Sequence, residues 1–373
     1  EMEIAMGVLV MVFWFWVRVA VMVWAIARFY LRGAALSAYD RTPPAAVGGF
    51  REPSAEHHEV VELLKGFASA GAGVSSRDRL KTMRDTMDAM GDDADLEGVQ
   101  VTRVDTDGVP GEWVLAEGAD PNRRLLYLHG GAFTMGSPRS HRPITTTLSR
   151  IAGASVLAVD YRLMPEHRRL DCLTDCQRAY RWILENGPQG KRALETLFVA
   201  GDSAGGNLTL AVIAWARDSG LRPAEAAVAL SPATDATFTS PSLASNVATD
   251  HMLGPMFGRI TRLPRVGALW FSWFAYRVRP SDPRVSPVFG DLSNLPPTLV
   301  HASEAEMLLD DARRYVNKAN AAGSEATLET WHHMLHVWHA FEQKLPEARE
   351  AFEHIGRFLE LCAPRKQSAL ASA

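Results

Sequence analysis

Cysteine is scarce in this chain. There are only three, Cys172, Cys176 and Cys362, among 373 residues. That excludes a disulfide-stapled scaffold. Cys172 and Cys176 are spaced like neighbours on one helix face, but no matching Cys/His pair completes a zinc site, so they read as small buried thiols. An excess of one charge is also lacking. The formal net charge is −4, with 39 Lys and Arg against 43 Asp and Glu. No basic field favours nucleic acid as a partner. No internal repeat is visible. Nothing in the pattern calls for a metal or an organic cofactor, and none is expected.

What is abundant is apolar sequence, and it begins at once. Residues 4–30 are almost wholly apolar, with Trp14, Trp16 and Trp24 among them and only Arg18 and Arg28 charged. The length suits a membrane helix of about 20 residues. Arg18 opposes insertion by about 2.5–3.5 kcal/mol, which the surrounding aliphatic and aromatic side chains offset. Glu3, Arg18, Arg28 and Arg32 share one wedge of a helical wheel, so a helix lying in the interface fits as well. A helix buried in the fold is the bland alternative. Glu1 and Glu3, not a basic stretch, precede the run, which argues against a cleavable leader. With Arg28, Arg32 and Arg41 following it, the run reads as a membrane anchor with the main domain on the cytoplasmic side.

Residues 31–98 show turn residues (Pro43, Pro44, Gly48, Gly49) and then helical stretches near Val60–Phe67 and Arg77–Met90, with no strand pattern. From Val99 the pattern changes to strands alternating with helices. Two alternating segments, 99–108 and 111–118, predict an antiparallel pair. Buried strands are predicted at Arg124–Gly130, Ala154–Tyr161, Leu197–Gly201, Ala226–Asp235, Pro297–Glu306 and Ala326–Met334. Helices are predicted at Arg142–Ala152, Leu170–Asn186, Leu208–Asp218 and Pro346–Leu361. This alternation means an α/β fold with a mostly parallel sheet covered on both faces. One interruption, Ala236 to Asp291, carries Met252, Met256, Phe257, Trp270, Phe271, Trp273, Phe274 and Tyr276 but no clear strand. It reads as a satellite core, as a lid over an apolar pocket, or as both.

Val199–Leu210 is the stretch around which the rest is organised. Its Gly201-Asp202-Ser203-Ala204-Gly205 matches G-x-S-x-G between a buried strand and a helix, the setting of a nucleophile elbow. A serine on so sharp a turn brings backbone close, so Gly201 and Gly205 must lack a β-carbon. The turn also aims the N–H of Ala204 at a bound carbonyl from the positive end of a helix. His129-Gly130-Gly131-Ala132 ends another strand, and its small residues let backbone N–H groups converge on one point, with His129 as a loop residue. After the last strand come His332, His333, His336 and His339. The first two sit late in the strand, His336 falls in the loop where its ring can reach Ser203, and His339 lies in the next helical turn. The orienting acid belongs just after the strand from Pro297, where Glu304, Glu306, Asp310 and Asp311 are candidates by position.

Taken together, His129-Gly130-Gly131, the run Asp160-Tyr161-Arg162-Leu163-Met164-Pro165-Glu166-His167, the elbow through Gly206, and His336 before the last helix make the chain resemble the hormone-sensitive-lipase-like family of α/β-hydrolases, also called bacterial family IV esterases. The likeness runs from about Val99 to Leu361. It implies an α/β-hydrolase core with a helical cap, Ser203 as nucleophile, His336 as base, and Gly130, Gly131 and Ala204 as oxyanion donors. The family's acid usually opens an Asp-Pro-Leu motif. Here Glu306-Met307-Leu308-Leu309-Asp310 stands in its place, which puts Glu306 at the acid position. Two other departures are Val337, where the family has Gly, and Arg168-Arg169, where it is Pro-rich. The apolar N-terminus is a further one.

The expected organisation is an N-terminal hydrophobic anchor helix (1–32), a first cap segment (33–98), a first core part (99–235), a cap or lid insertion (236–291), a second core part (292–365) and a tail (366–373). The expected activity is hydrolysis of lipophilic acyl esters or lactones through a Ser-His-Glu triad, with membrane lipid contact through residues 4–30. Amide hydrolysis uses the same machinery. A non-catalytic ligand-binding protein on the same scaffold is the alternative from another class. Against it, serine, carboxylate and histidine are all present.

Overall fold

The computed structural model of the protein describes residues 2–41, 46–47, 52–69 and 73–365. The tail 366–373 and the turn residues Pro43, Pro44, Gly48 and Gly49 lie outside the described residues. A nine-stranded sheet runs through the molecule. Its strands are β1 (Ala46–Val47), β2 (Val99–Asp105), β3 (Pro110–Ala116), β4 (Asp120–Leu128), β5 (Ala154–Val159), β6 (Thr196–Asp202), β7 (Ala226–Leu230), β8 (Thr298–Ser303) and β9 (Ala326–Trp331). The spatial order is β1-β9-β8-β7-β6-β4-β5-β3-β2. Pairing is parallel except where β3 meets β2 and β5. The central strands are mostly apolar because both faces of the sheet are covered. β5 and β7 bury every residue.

Helices α4 (Arg142–Ala152) and α11 (Pro346–Cys362) cover one face; α5 (Arg169–Glu185), α6 (Ala204–Asp218) and α10 (Leu309–Ala321) cover the other. On the first, Tyr127, Phe198 and Val228 meet Ile144, Phe352 and Ile355. On the second, Leu126, Val199 and Val300 meet Tyr180, Leu208 and Tyr315. Each such side chain contributes about 1.5–3 kcal/mol of burial. With the parallel strands all pointing one way, the loops after β4, β6, β7, β8 and β9 gather at one edge, where open α/β sheets bind ligands.

Several strands end earlier than their apolar runs predict: β4 at Leu128, β5 at Val159 and β8 at Ser303, besides two that matter for the site. β7 stops at Leu230, not Asp235, and β9 stops at Trp331, not Met334. The last rung of the β8–β9 ladder pairs Ser303 with Trp331. His332 and His333 therefore lie past the strand, and His333 turns back with a positive φ of 60°. A short strand that no pattern predicts, β1, extends the sheet beside β9. Two residues are too few to show a period.

Between these loops and solvent lie helices α2 (Ala55–Ser69) and α3 (Ser76–Ala89), and three helices of the 236–291 insertion: α7 (Ser242–Ser245), α8 (Leu253–Phe257) and α9 (Arg265–Tyr276). Val60, Val61 and Leu64 of α2 pack on Trp331, Leu335 and Trp338. Helix α1 (Met2–Ile26) stands away from this body, its described apolar side chains mostly exposed. The segment Met6–Leu31 is long and apolar enough to cross a membrane and is not buried inside the protein. Only its C-terminal end docks: Ala27 and Leu31 pack on Leu269 of α9, and Trp270 Nε1 donates to Val23 O at 3.2 Å.

Candidate active site

Strand β6 and helix α6 meet at a single residue, Ser203, whose φ of 52° and ψ of −114° make the turn. Such a conformation is strained for a residue with a side chain, and the surrounding structure has to hold it. Ser203 N–H donates to Leu230 O at 2.7 Å. The flanking glycines are steric necessities: a β-carbon at Gly205 would lie 1.8 Å from Leu128 O, and one at Gly201 would lie 2.5 Å from Gly205 O. The turn lifts the Ser203 hydroxyl into a cavity.

His336 reaches that hydroxyl from the loop after β9. Its Nε2 is 2.9 Å from Ser203 Oγ, and its Nδ1 is 2.7 Å from Glu306 Oε2. Glu306 is fully buried, and its other oxygen accepts the Ser303 N–H at 2.9 Å. An unbroken line runs from carboxylate to imidazole to hydroxyl. Burial alone would lower the His336 pKa, but the hydrogen bond and charge of Glu306, with Asp250 and Asp202 beyond, carry it above its ordinary value. Burial pushes Glu306 upward against the opposing pull of His336. A line of this kind can take the hydroxyl proton as the oxygen attacks.

The loop that carries Glu306 is held from the insertion. Asn246 Nδ2 donates to Glu304 O and Glu306 O, each at 2.9 Å, and Asp250 accepts the Met307 N–H at 2.8 Å. Asn246 and Asp250 went unseen in the sequence, because a short polar stretch inside an insertion reads as an ordinary turn.

The loop after β4 requires a correction. The Gly130 N–H donates to Asp202 Oδ1 at 2.9 Å, and Gly130 is buried below the cavity. It is therefore unavailable as an oxyanion donor. Asp202 also accepts from Tyr127 Oη at 2.5 Å and sits 3.4 Å from His141 Nε2, so the residue before Ser203 fastens the two loops together. The next two residues face the cavity instead. Gly131 has a φ of 109° and Ala132 a φ of 53°, and both line it with Ala204. Among the described residues no protein acceptor takes the N–H of Gly131, Ala132 or Ala204. The run of small residues extends through Ala132, and that run is the sequence signal for a third N–H facing the cavity. Helix α3 braces this loop: Arg84 donates to Thr134 O at 2.8 Å and pairs with Glu166, whose carboxyl it holds down to about 2.

The remaining candidates lie elsewhere. Glu304 pairs with His332 at 2.7 Å. Asp310 and Asp311 open α10 and anchor the insertion: Asp310 accepts the Ser242 N–H at 2.8 Å, and Asp311 accepts those of Thr234 and Asp235 at 2.6 and 2.9 Å. His129 stacks on Tyr161 at 4.2 Å, and burial lowers its pKa to about 3. His339 is buried against His301, 3.1 Å away. None of these reaches Ser203.

The cavity above Ser203 measures about 580 Å³. Its floor is Gly131, Ala132, Ser203 and His336; its walls and roof are mainly apolar, among them Met87, Leu243, Met252, Met256, Phe257 and Phe271. A space of that size and lining accepts an apolar chain with one polar group at the floor.

The sequence pattern of the alpha/beta hydrolase fold family matches residues 125–340. An acetyl-hydrolase of Streptomyces hygroscopicus is 39% identical over 249 residues, covering 66% of this chain and 78% of that protein. The carboxylesterase/phospholipase LipF of Mycobacterium tuberculosis is 37% identical over 245 residues, covering 65% and 63%. Among solved structures, the esterase EstE5, in a crystal soaked with p-nitrophenyl butyrate, superposes with a TM-score of 0.72 at 36% identity, covering 83% of this chain and 99% of that one. An esterase of the bacterial hormone-sensitive lipase family superposes with a TM-score of 0.71 at 34% identity, again covering 83% and 99%. With these relatives and this fold, the chain belongs to the hormone-sensitive-lipase-like esterases of the α/β-hydrolase family.

Proposed function

We propose that the protein hydrolyses lipophilic acyl esters, lactones included, with Ser203 as nucleophile, His336 as general base and acid, and Glu306 as the residue that orients the imidazole. The observation that carries this reading is the Glu306–His336–Ser203 line opening into an apolar cavity. Ser203 Oγ attacks the ester carbonyl as its proton passes to His336 Nε2. Negative charge then builds on the carbonyl oxygen, and the N–H groups of Gly131, Ala132 and Ala204 receive it. The tetrahedral adduct collapses, His336 returns the proton to the departing alkoxide, and an acyl-serine remains. Water, losing its proton to the same imidazole, attacks the acyl-serine and releases the carboxylic acid. Ester and water become acid and alcohol, and the enzyme is restored. For a lactone the alcohol and acid stay in one product.

The 236–291 insertion, with α2 and α3, serves as the cap that shapes the acyl site. Helix α1 attaches the enzyme to a membrane, with the catalytic domain on the cytoplasmic side. In support of this, the helix is exposed and apolar, and Arg28 and Arg32 close its C-terminal end.

The test is a panel of p-nitrophenyl esters of rising chain length, with lactones, assayed in detergent on the wild type and on Ser203→Ala. Turnover that rises from acetate to the longer chains and vanishes in the variant is the expected result. Activity that survives in Ser203→Ala refutes the assignment. Fractionation of a variant lacking residues 1–32 tests the anchor. The shortened protein is expected in the soluble fraction, and a full-length protein soluble without detergent refutes the anchor.

A further inference from the structure

Helix α9 divides its residues among three directions. Val266, Leu269, Trp270 and Trp273 turn to the docked end of α1. Ala268, Ser272 and Tyr276 turn to the cavity. The third direction, with Phe271 at its cavity edge and Phe274 beside it, faces solvent with two large aromatic rings, 46% and 55% exposed. A soluble surface has no use for adjacent exposed phenylalanines. Leu263, at the foot of the helix, is 43% exposed as well.

Three features indicate what covers them. First, the patch continues an apolar surface already present. The end of α1 and the turn that follows it, 27–31, expose Trp24, Phe29 and Tyr30 alongside the face of α9 that this segment touches. Second, arginines ring it. Arg277 lies over the Phe274 ring at 5.8 Å, and Arg279 over Tyr30 at 5.7 Å. Arg28 lies over Trp24 and Phe29, each at 5.8 Å. Burial lowers the Arg265 pKa, the charges of Arg32, Arg314 and Arg28 lower it further, and Asp235 opposes them. Aromatic rings beneath guanidinium groups, at the end of an apolar helix, suit a bilayer interface with anionic headgroups. Third, the cavity opens here. Leu263, Arg265, Phe271 and Ala275 line the cavity and also reach the surface.

We propose that the exposed face of α9, with Leu263 and the flanking arginines, docks on an anionic lipid bilayer and holds the mouth of the catalytic cavity against it, so that lipophilic esters enter from the lipid and not from water. This rests on the reading of α1 as the anchor and adds a second contact to it. The docked end of the anchor segment holds α9 close to the point where the chain would leave the bilayer. Contact through α9 fixes the direction in which the cavity faces.

The experiment uses the full-length enzyme on vesicles of phosphatidylcholine with and without phosphatidylglycerol. Phe274 lines no part of the cavity, so Phe274→Glu is expected to hydrolyse p-nitrophenyl butyrate in water at the wild-type rate and to float with vesicles as the wild type does. Its rate on a long-chain ester dissolved in the vesicles is expected to fall about ten-fold, and removing phosphatidylglycerol is expected to slow the wild type on the same substrate. In a Cys362→Ser background, an environment-sensitive dye on Phe274→Cys is expected to shift to the blue on vesicles, while the same dye on Leu361→Cys of α11 does not. If the wild type floats but Phe274→Glu keeps the wild-type rate on the vesicle-borne ester, or the dye at 274 stays in water, the α9 contact is refuted and the anchor stands. If the wild type does not float, the anchor reading fails and takes this inference with it.

Discussion

Below the substrate, the cavity floor is a set of strand-end loops in which polar atoms are tied to partners: Asp202 to Gly130 and Tyr127, Glu306 to Ser303 and His336, Tyr161 Oη to His129 O at 2.7 Å. Above it, the roof is short helices whose methionines, leucines and phenylalanines meet the cavity with no directional bond to it. The floor is directional because proton transfer and charge stabilisation fail when donors are misplaced. The roof needs volume and apolarity, which many side chains supply. Substitutions in the floor should therefore act on kcat whatever the substrate, and those in the roof should act on the choice of substrate.

The floor gives the largest expected effects. Ser203→Ala removes the proposed nucleophile, and kcat is expected to fall by about 10⁵–10⁶-fold, the order of a triad serine, while circular dichroism stays native. Covalent labelling by an organophosphonate should map to Ser203 in the wild type and disappear in the variant. Glu306→Gln is next. It keeps the shape but favours the wrong imidazole tautomer, a loss on the order of 10⁴-fold in the serine-protease case. It also carries a pH signature. Glu306 raises the His336 pKa, and the imidazole must be neutral to act as base, so the wild-type acid limb of kcat/KM lies above the ordinary histidine value. Without Glu306 that limb should move to lower pH. Glu304→Gln and Asp310→Asn, whose carboxylates serve His332 and Ser242, should keep most of kcat and the wild-type limb. If Glu304→Gln is the crippled variant, the line from Glu306 to Ser203 is not the working one.

The roof should respond differently. Met256→Trp fills part of the cavity, so long-chain esters are expected to lose about ten-fold in kcat/KM, the scale on which an apolar pocket discriminates size. The butyrate ester should stay close to wild type. An equal loss on both would mean that the roof also positions the catalytic atoms. The smallest expected effect is at the boundary between floor and roof. Val337 holds a φ of 53° and ψ of 46°, unfavourable for a β-branched side chain, and its side chain is buried at the cavity edge. Glycine relieves about 1–2 kcal/mol of strain and forfeits about 1.5–3 kcal/mol of burial. Val337→Gly should therefore shift the melting temperature by only a few degrees, while bulkier acyl groups gain room beside Ser203.

The same contrast governs what could be read beforehand. Ser203 and His336 were legible because each demand on them is local: a turn that admits only glycine at 201 and 205, and a histidine just past the last strand. Glu306 was one of four carboxylates that position allowed, and only the resemblance singled it out. The donor loop was legible only to within one residue. That Gly130 is spent on Asp202 follows from a contact across 72 positions, which no local pattern contains. Nor could a pattern show Asn246 and Asp250 gripping the Glu306 loop, or a two-residue strand at Ala46–Val47. His332 and His333 were placed within the last strand because apolar and aromatic neighbours continue past Trp331. The ladder stops where its partner strand stops.

By itself the sequence determined the order of strands and helices, the elbow at Ser203, and an N-terminal stretch long and apolar enough to cross a membrane. These depend on composition and spacing within a few residues, where sterics and the hydrophobic effect act directly. Only the tertiary structure decided which backbone N–H groups face the cavity, that α1 stays outside the core while the end of its apolar segment docks on α9, and that residues of α9 both line the cavity and reach solvent. Those outcomes depend on side chains far apart in the chain competing for the same space and the same hydrogen-bond partners, a competition settled only when the whole chain is folded.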